Sequence, residues 1–217
     1  MTIVQKNDFV EIEFVGRLKD TNEVFDTNSK AEIEKKKLNF AAKPYVICVG
    51  KSMSIKGLDK DIEGKEIGKE YLAEFKPEDA FGKRNSSMVR MVPLKFFLEQ
   101  KIMPQKGMQL SLDGTIAKVI SVSSGRVLVD FNNPLAGKVV LYNYKILRKL
   151  EDEKEKVNSL QDFFFRKRFD FNIKDKEVIF KVEENLKKYI EVMAKPFEDI
   201  LGMRIKTETV AKKEEQK

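Results

Sequence analysis

The sequence contains no histidine, no tryptophan and only one cysteine, Cys48, in 217 residues. Without histidine the chain has no Ser-His-Asp triad, no Cys-His dyad and no imidazole with which to bind a metal. A single cysteine allows no internal disulfide, no CxxC redox pair and no zinc finger. Most hydrolase and metalloenzyme mechanisms are therefore excluded, and we expect neither a metal nor a cofactor.

Long apolar runs are also missing, since none approaches the roughly 18 residues that a membrane-spanning helix needs. The first 14 residues carry charges where a secretory signal has an apolar core. A free thiol in such a chain favours the cytoplasm, so we expect a cytoplasmic protein without a membrane partner. Charge is abundant instead: 42 Lys and Arg face 35 Asp and Glu, a formal net charge of +7, in a composition typical of folded globular proteins.

The spacing of apolar residues indicates an α+β first domain. Apolar and acidic residues alternate over 10–16, which predicts a half-buried strand, and further strands are predicted at 45–49, 70–75 and 139–147. A glycine turn and apolar residues four apart predict one short helix over 57–62. Strands around a short helix are typical of α+β domains.

Residues 85–138 are predicted to form a β-rich insert. Their predicted elements are a helix at 92–100 that begins near a proline and strands at 108–112, 115–122 and 126–131. The turns between these strands, Asp113-Gly114 and Ser124-Gly125, are typical of β-hairpins. Because another strand follows at residue 139, we expect this block to interrupt the first domain, which would comprise 1–84 and 139–151.

Residues 152–217 are predicted to form a third, α+β domain. Its predicted elements are a hinge or helical connector at 151–156, a strand-like segment at 163–173, a strand at 178–182 and a helix from Leu186. We expect Pro196 to break or restart that helix, because proline lacks the backbone N–H. From about residue 211 we expect a disordered tail.

Six short motifs lie in order along residues 1–151. They are Phe14-Val15-Gly16, Val24-Phe25-Asp26, Pro44 to Gly50, Ser54 to Asp59, Pro77 to Gly82 and Asn132 to Lys138. In this order and spacing they resemble the FKBP-type peptidyl-prolyl cis-trans isomerases. The insert between the last two motifs is typical of the SlyD-like, insert-in-flap branch, and the extra C-terminal segment resembles the long archaeal members. The resemblance implies an antiparallel sheet wrapped around the short helix.

Prolyl isomerisation fits the residues that the sequence lacks. Rotation about an X-Pro bond crosses a barrier of ~18–20 kcal/mol because twisting destroys amide resonance. Lowering that barrier needs no nucleophile, metal or titrating base. It needs an apolar pocket that holds the proline ring and fixed dipoles that favour the twisted amide.

The resemblance also implies the site residues. The residues lining the pocket would be Phe14, Phe25, Tyr45, Ile55, Leu58, Phe81 and Tyr142, with Leu135 as a wall on the flap side. Among them, Phe14, Phe81 and Tyr142 are assigned catalytic roles together with Asp26, the polar residue beside the twisting carbonyl. The backbone N–H of Ile55 would anchor the substrate chain.

Some residues depart from the family pattern. Phe14 and Phe81 stand where many members carry tyrosine, so two hydroxyl groups are missing, and Asn133 replaces the histidine of the insert motif. Leu58 replaces a tryptophan that is found in some members. The missing hydroxyls keep a second hypothesis open: a holdase chaperone whose isomerase activity is weak or lost.

The insert is rich in flexible apolar side chains. We expect an adaptable surface for unfolded or partly folded proteins, formed by Met88, Met91, Phe96, Phe97, Met103 and Met108. The resemblance implies the same chaperone role for this insert. The alternative is that these residues pack the core of the insert itself.

The C-terminal residues suggest two further partners. A segment as short as 152–217 forms a marginal core, so we expect it to be stabilised in a homodimer. The basic aromatic run 163–169 would suit single-stranded nucleic acid. The same pattern is expected of a half-buried strand with a solvated basic edge, which we favour, and so we expect no nucleic-acid partner.

Overall fold

The structure is a computed structural model in which residues 2–112 and 114–210 are described. Its strands are β1 (Phe9–Leu18), β2 (Val24–Thr27), β3 (Tyr45–Cys48), β4 (Glu70–Phe75), β5 (Val89–Pro93), β6 (Gln109–Leu112), β7 (Thr115–Ser123), β8 (Arg126–Asp130), β9 (Val140–Lys149), β10 (Asp170–Lys174), β11 (Glu177–Val182) and β12 (Arg204–Thr209). Its α-helices are α1 (Lys30–Lys36), α2 (Lys56–Asp61), α3 (Leu94–Glu99), α4 (Glu153–Phe164) and α5 (Glu184–Leu201). Asp113 of the predicted hairpin turn and the tail predicted from about residue 211 lie outside the described residues.

The described chain divides into two compact units. The first unit comprises residues 2–17, 23–73 and 141–210, and the second comprises 18–22 and 74–140. The three-domain division of the sequence, with boundaries at 84, 138 and 151, stays a prediction.

A five-stranded sheet organises the first unit. Four strands follow the order β2-β1-β9-β4, and β3 also pairs with β1; the pairings of β1 with β2 and with β3 are antiparallel. In β1 buried and half-buried residues alternate, as expected of a strand with one face on the core. The α+β fold class and the strands predicted at 10–16, 45–49, 70–75 and 139–147 are confirmed.

Helix α2 is the short helix expected beside this sheet. Leu58 and Ile62 are buried, and both carboxylate oxygens of Asp59 accept hydrogen bonds from the preceding loop. One bond comes from the Gly50 N–H at 2.9 Å and the other from the Ser52 N–H at 3.0 Å. The carboxylate in the first turn therefore fixes the loop between β3 and α2 and complements the helix dipole.

The second unit contains the predicted insert strands. These three strands, β6, β7 and β8, are joined by the unpredicted strand β5 in an antiparallel sheet of order β5-β8-β7-β6. The helix predicted at 92–100 begins at Leu94, directly after Pro93, because residues 92 and 93 belong to β5. The core of this sheet consists of Phe97, Leu112, Ala117, Val119, Val127 and Val129. Because Phe97 is completely buried there, our prediction that it belongs to an exposed client-binding surface is wrong; the period of α3 turns its ring inward.

Two hydrogen-bonded clamps join the ends of the insert. Asn132 is buried; its side chain accepts from the Asn85 N–H at 2.8 Å and donates to the Asn85 carbonyl at 2.9 Å. Farther out, the Gly137 N–H donates to the Gly82 carbonyl at 2.8 Å. The motif at 132–138 therefore closes the insert through its backbone and amide groups.

The first part of the segment predicted as strand-like at 163–173 is helical. Asp152 caps α4 by accepting from the Glu155 N–H at 2.9 Å, and α4 buries Val157 and Leu160. The helix continues to Phe164, and the strand begins only at Asp170. The capping aspartate and the helical spacing of apolar residues outweigh the β propensity of three consecutive phenylalanines.

Helix α5 is continuous, so the predicted break at Pro196 is wrong. Pro196 lies inside the helix on an exposed face, one turn after the exposed Val192. Only one hydrogen bond is lost there, and water can satisfy the Val192 carbonyl. The unpredicted strand β12 returns parallel to β11 after α5, completing the order β10-β11-β12.

Candidate functional site

Four aromatic rings converge on one end of the first-unit sheet. The Phe14 ring lies 5.4 Å from the Tyr45 ring and 5.7 Å from the Tyr142 ring, between centroids. The Phe25 ring meets Tyr142 edge-on at 5.9 Å. We call these four rings, together with Asp26, the Asp26 cluster. Strands β1, β2, β3 and β9 each contribute one ring.

Gly16 makes this close approach of rings possible. A Cβ atom at this position would lie 2.9 Å from Phe25 Cζ and 3.3 Å from Tyr142 Cζ. Gly16 also pairs with Asp26 across β1 and β2, at a point where the register shifts before Arg17. The glycine of the first motif therefore sets the distance between the ring walls.

Polar residues after Asp26 hold Phe14 in place. The Phe14 N–H donates to Asn28 Oδ1 at 2.7 Å, and Thr27 Oγ1 donates to the Phe14 carbonyl at 2.7 Å. Asn28 Nδ2 also donates to the Ile12 carbonyl at 2.8 Å. Sequence reasoning missed Thr27 and Asn28, although polar side chains at the end of a strand and directly after it are a signal for such backbone bonds.

Tyr45 connects the cluster to the loop before α2. Its hydroxyl donates to the Met53 carbonyl at 2.8 Å. Ile55 follows as the extended N-cap of α2, and its backbone N–H has no hydrogen-bond partner within residues 2–112 and 114–210. A free N–H at this position can donate to a bound peptide carbonyl. Leu58 is buried in the first turn of α2.

Asp26 is the acidic group of the cluster and acts on both of its tyrosines. The residue is solvent accessible, yet enough protein surrounds its carboxyl group that desolvation raises its pKa, against a smaller opposing effect of the Thr27 backbone hydrogen bond. Burial and then the Asp26 charge raise the pKa of Tyr142, and the same two causes raise that of Tyr45. Both hydroxyls are therefore neutral donors beside a carboxylate.

Two predicted pocket residues belong to the second unit. Phe81 follows a short 3-10 helix, Pro77–Asp79, and is half-buried. Leu135 is half-buried in a turn where its N–H donates to Asn133 Oδ1 at 2.8 Å. Their membership of the same site as Asp26 stays a prediction from the sequence.

Two clefts of the first unit lie apart from Asp26, although one of them shares Phe14 with the Asp26 cluster. A cleft of about 330 Å³ lies between α5 and β12, and one of about 160 Å³ is lined by residues including Phe14, Tyr71 and Tyr144. Neither cleft includes Asp26. The candidate site therefore rests on the ring geometry and the carboxylate, which together offer an apolar wall next to one charge.

Comparison with known proteins agrees with this geometry. Residues 2–110 match the family model of FKBP-type peptidyl-prolyl cis-trans isomerases, which is half of the chain. The chain belongs to this family. Residues 90–135 match a second family model, the FKBP26 IF domain. The resemblance to FKBP-type isomerases is thus confirmed, and the protein is a peptidyl-prolyl cis-trans isomerase of this type.

Individual relatives support the SlyD-like branch. The chain is 31% identical over 151 residues to the FKBP-type isomerase SlyD of Helicobacter pylori, which covers 67% of this chain and 75% of that protein. It is 28% identical over 149 residues to a short-type peptidyl-prolyl cis-trans isomerase of Methanocaldococcus jannaschii, covering 67% and 94% of the two chains. The likeness of the C-terminal residues to long archaeal members stays a prediction. None of the helices in the described part of this isomerase combines the length and apolar character needed to span a bilayer.

Proposed function

We propose that this FKBP-type isomerase binds prolyl peptides at the Asp26 cluster and binds unfolded chains through its insert, as a cytoplasmic folding catalyst. The observation that carries the first part is the arrangement of four rings around a single partly desolvated carboxylate. Such a site binds a proline ring by apolar contact and needs no cofactor.

The chemistry follows from the charges that face the reacting amide. As the X-Pro amide twists, its carbonyl loses conjugation and the nitrogen becomes pyramidal. Rings that exclude water weaken solvation of the planar amide more than that of the twisted one. The Ile55 N–H holds the neighbouring peptide, and Asp26 supplies a fixed negative charge beside the twisting bond.

Removing the carboxylate tests this assignment. We expect Asp26→Leu to lower kcat/KM for a prolyl tetrapeptide at least tenfold, about 1.4 kcal/mol of transition-state stabilisation. Phe81→Ala tests the predicted second-unit wall in the same assay. Glu34→Leu, which removes an exposed carboxylate of the first unit, is the matched control. Wild-type kcat/KM in a folded Asp26→Leu protein would refute the assignment.

The insert exposes the kind of surface that unfolded chains bind. Met91 and Met103 are 60% and 72% exposed, and Ile116, which sequence reasoning missed, is 61% exposed. Phe96 and Met108 are also exposed, whereas Met88 is half-buried. These side chains are not part of the core around Phe97. They can therefore contact a partner without any rearrangement of the second unit.

Charged substitutions on this surface distinguish a client-binding role of its side chains from a role in packing the core of the insert. We expect the double variant Met91→Glu, Met103→Glu to lose suppression of aggregation of a reduced, unfolding client while its circular dichroism stays native. Lys118→Glu, an exposed change on the same sheet, should suppress aggregation like the wild type. If aggregation suppression without prolyl isomerisation were found in the wild type, the holdase hypothesis would replace the isomerase role in folding.

We also propose that a second copy of the chain binds along α5. Tyr189 and Val192 are 43% and 67% exposed on this helix, next to Pro196. Light scattering of the full chain should give a dimer mass, and Val192→Glu should give a monomer. A monomer mass for the wild type would refute the homodimer.

The basic aromatic run at 163–169 is partly buried. Phe165 is buried against the Phe180 and Phe197 rings, and Arg168 is paired with Asp162. The run is the end of a helix and a turn, so our preferred interpretation as a half-buried strand is wrong. The buried Phe165 ring is not available for stacking on bases.

A further inference from the structure

The turn after α4 carries three consecutive cations, of which two are already engaged. Arg168 makes two hydrogen bonds to Asp162, at 2.9 and 2.6 Å, and Lys167 Nζ lies 5.5 Å from the centre of the Phe169 ring. The exposed Arg166 guanidinium makes no hydrogen bond or ion pair within residues 2–112 and 114–210. It is an uncompensated positive charge.

This turn is held firmly. Gln161 is completely buried; its side-chain oxygen accepts from the Phe169 N–H at 2.6 Å, and its carbonyl accepts from the Phe165 N–H at 2.8 Å. Between these bonds Arg166 adopts a left-handed backbone conformation, with φ at 54°. The direction in which the Arg166 side chain leaves the turn is therefore set by a buried amide and not by a loose loop.

The path of α4 brings Arg166 to the Tyr45 end of β3. At the start of α4, Lys156 Nζ lies 5.9 Å from the centre of the Phe9 ring, and Phe9 pairs with Cys48 at the far end of β3. Helix α4 packs on β3. From Lys156 to the turn the helix rises roughly 15 Å, and β3 spans about 10 Å from Cys48 back to Tyr45.

The electrostatics agree with this placement. The pKa of the Tyr45 hydroxyl is raised by burial and by Asp26, and the Arg166 charge acts on it in the opposite direction. Tyr45 belongs to the Asp26 cluster, so the Arg166 guanidinium and the Asp26 carboxylate both act on one ring of this cluster. An acidic side chain that Asp26 would repel can be attracted by Arg166.

We propose that Arg166 forms a cationic subsite at the rim of the Asp26 cluster and favours prolyl peptides with an acidic side chain next to the proline. The inference rests on the proposed function of the cluster. For an exposed pair, the preference for Glu over its neutral isostere Gln should be about two- to fivefold in kcat/KM.

Peptides that vary on both sides of proline test the subsite. Isomerisation rates of pentapeptides carrying Glu, Gln or Lys before or after proline are measured by NMR exchange for wild type, Arg166→Gln and the control Lys167→Gln. We expect the wild type and the control to prefer a Glu peptide to the corresponding Gln peptide, and Arg166→Gln to lose the preference. High salt should weaken the preference in the wild type.

The two possible failures are distinguishable. If no peptide is isomerised by the wild type, the proposed function of the cluster fails and the subsite with it. If peptides are isomerised with the same ratio of Glu to Gln rates in wild type and Arg166→Gln, only the subsite is refuted.

Discussion

Within the described residues, two aromatic clusters lie in the same compact unit, and the Asp26 cluster has features of a site that the other lacks. In the C-terminal cluster the Phe165, Phe180 and Phe197 rings lie 5.6–6.0 Å apart, much like the rings around Asp26. Phe180 and Phe197 are completely buried, and one tyrosine, Tyr189, lies beside Phe165 at 5.7 Å between ring centres. The Asp26 cluster has similar spacing but adds a solvent-accessible carboxylate and a glycine that leaves room for the rings. Density of aromatic residues alone therefore indicates a core, and charge beside the rings indicates a site.

The largest expected effect is on stability, in the C-terminal cluster. Phe197→Ala removes a completely buried ring from α5, so the free energy of unfolding should fall by about 3–5 kcal/mol in denaturant titrations. The isomerase activity of the folded protein should change far less. If Phe197→Ala stayed fully stable yet lost catalysis, the C-terminal cluster would act as a site and not as a core.

Residue periodicity predicted four of the five strands of the first-unit sheet, α2 and three of the four strands of the second-unit sheet; the short strands β2 and β5 are the exceptions. Sequence reasoning predicted a helical connector at 151–156 only as an alternative to a hinge, and it favoured a strand from 163. Three phenylalanines in sequence favour a strand until the Asp152 cap and the buried face of α4 are considered together. The continuity of α5 through Pro196 depends on which face meets solvent, and this is a property of packing. Strand β12 was missed because its apolar residues are few and its partner, β11, lies across a helix.

The candidate site likewise contains residues that the sequence predicted and residues that it did not. The motifs predicted Phe14, Phe25, Asp26, Tyr45 and Tyr142, and the structure brings these five residues together. The side chains that position them, Thr27 and Asn28, are ordinary polar residues whose roles depend on backbone geometry that no motif records. Phe97 was assigned to the surface because a one-residue difference along a short helix decides which ring faces the core.

A smaller effect is expected from the glycine that separates the walls of the Asp26 cluster. Gly16→Ala places a methyl group 2.9 Å from Phe25 Cζ, so the Phe25 ring must move away from Tyr142. If the Asp26 cluster is the site of catalysis, as proposed, kcat/KM should fall about ten- to a hundredfold. Val15→Ala, in the neighbouring position of β1, should retain most activity. Equal losses in both variants would show that β1 is sensitive in general and that ring spacing is not the cause.

The smallest effect is expected from pH, and it concerns the charge that distinguishes the two clusters. Desolvation raises the folded-state pKa of Asp26 above 3.8, so its ionised form is disfavoured by folding. As pH rises from the unfolded-state pKa to the folded-state pKa, this group therefore lowers the free energy of unfolding. Asp26→Asn should not show this decrease, so the difference in unfolding free energy between wild type and Asp26→Asn should change with pH over the same interval. If the ionised carboxylate assists catalysis, kcat/KM of the wild type should fall as pH drops through the raised pKa, while the residual activity of Asp26→Asn should not. A wild-type profile that is flat through this range in a folded protein would mean that the carboxylate acts only by shape, and its charge would then not distinguish the two aromatic clusters.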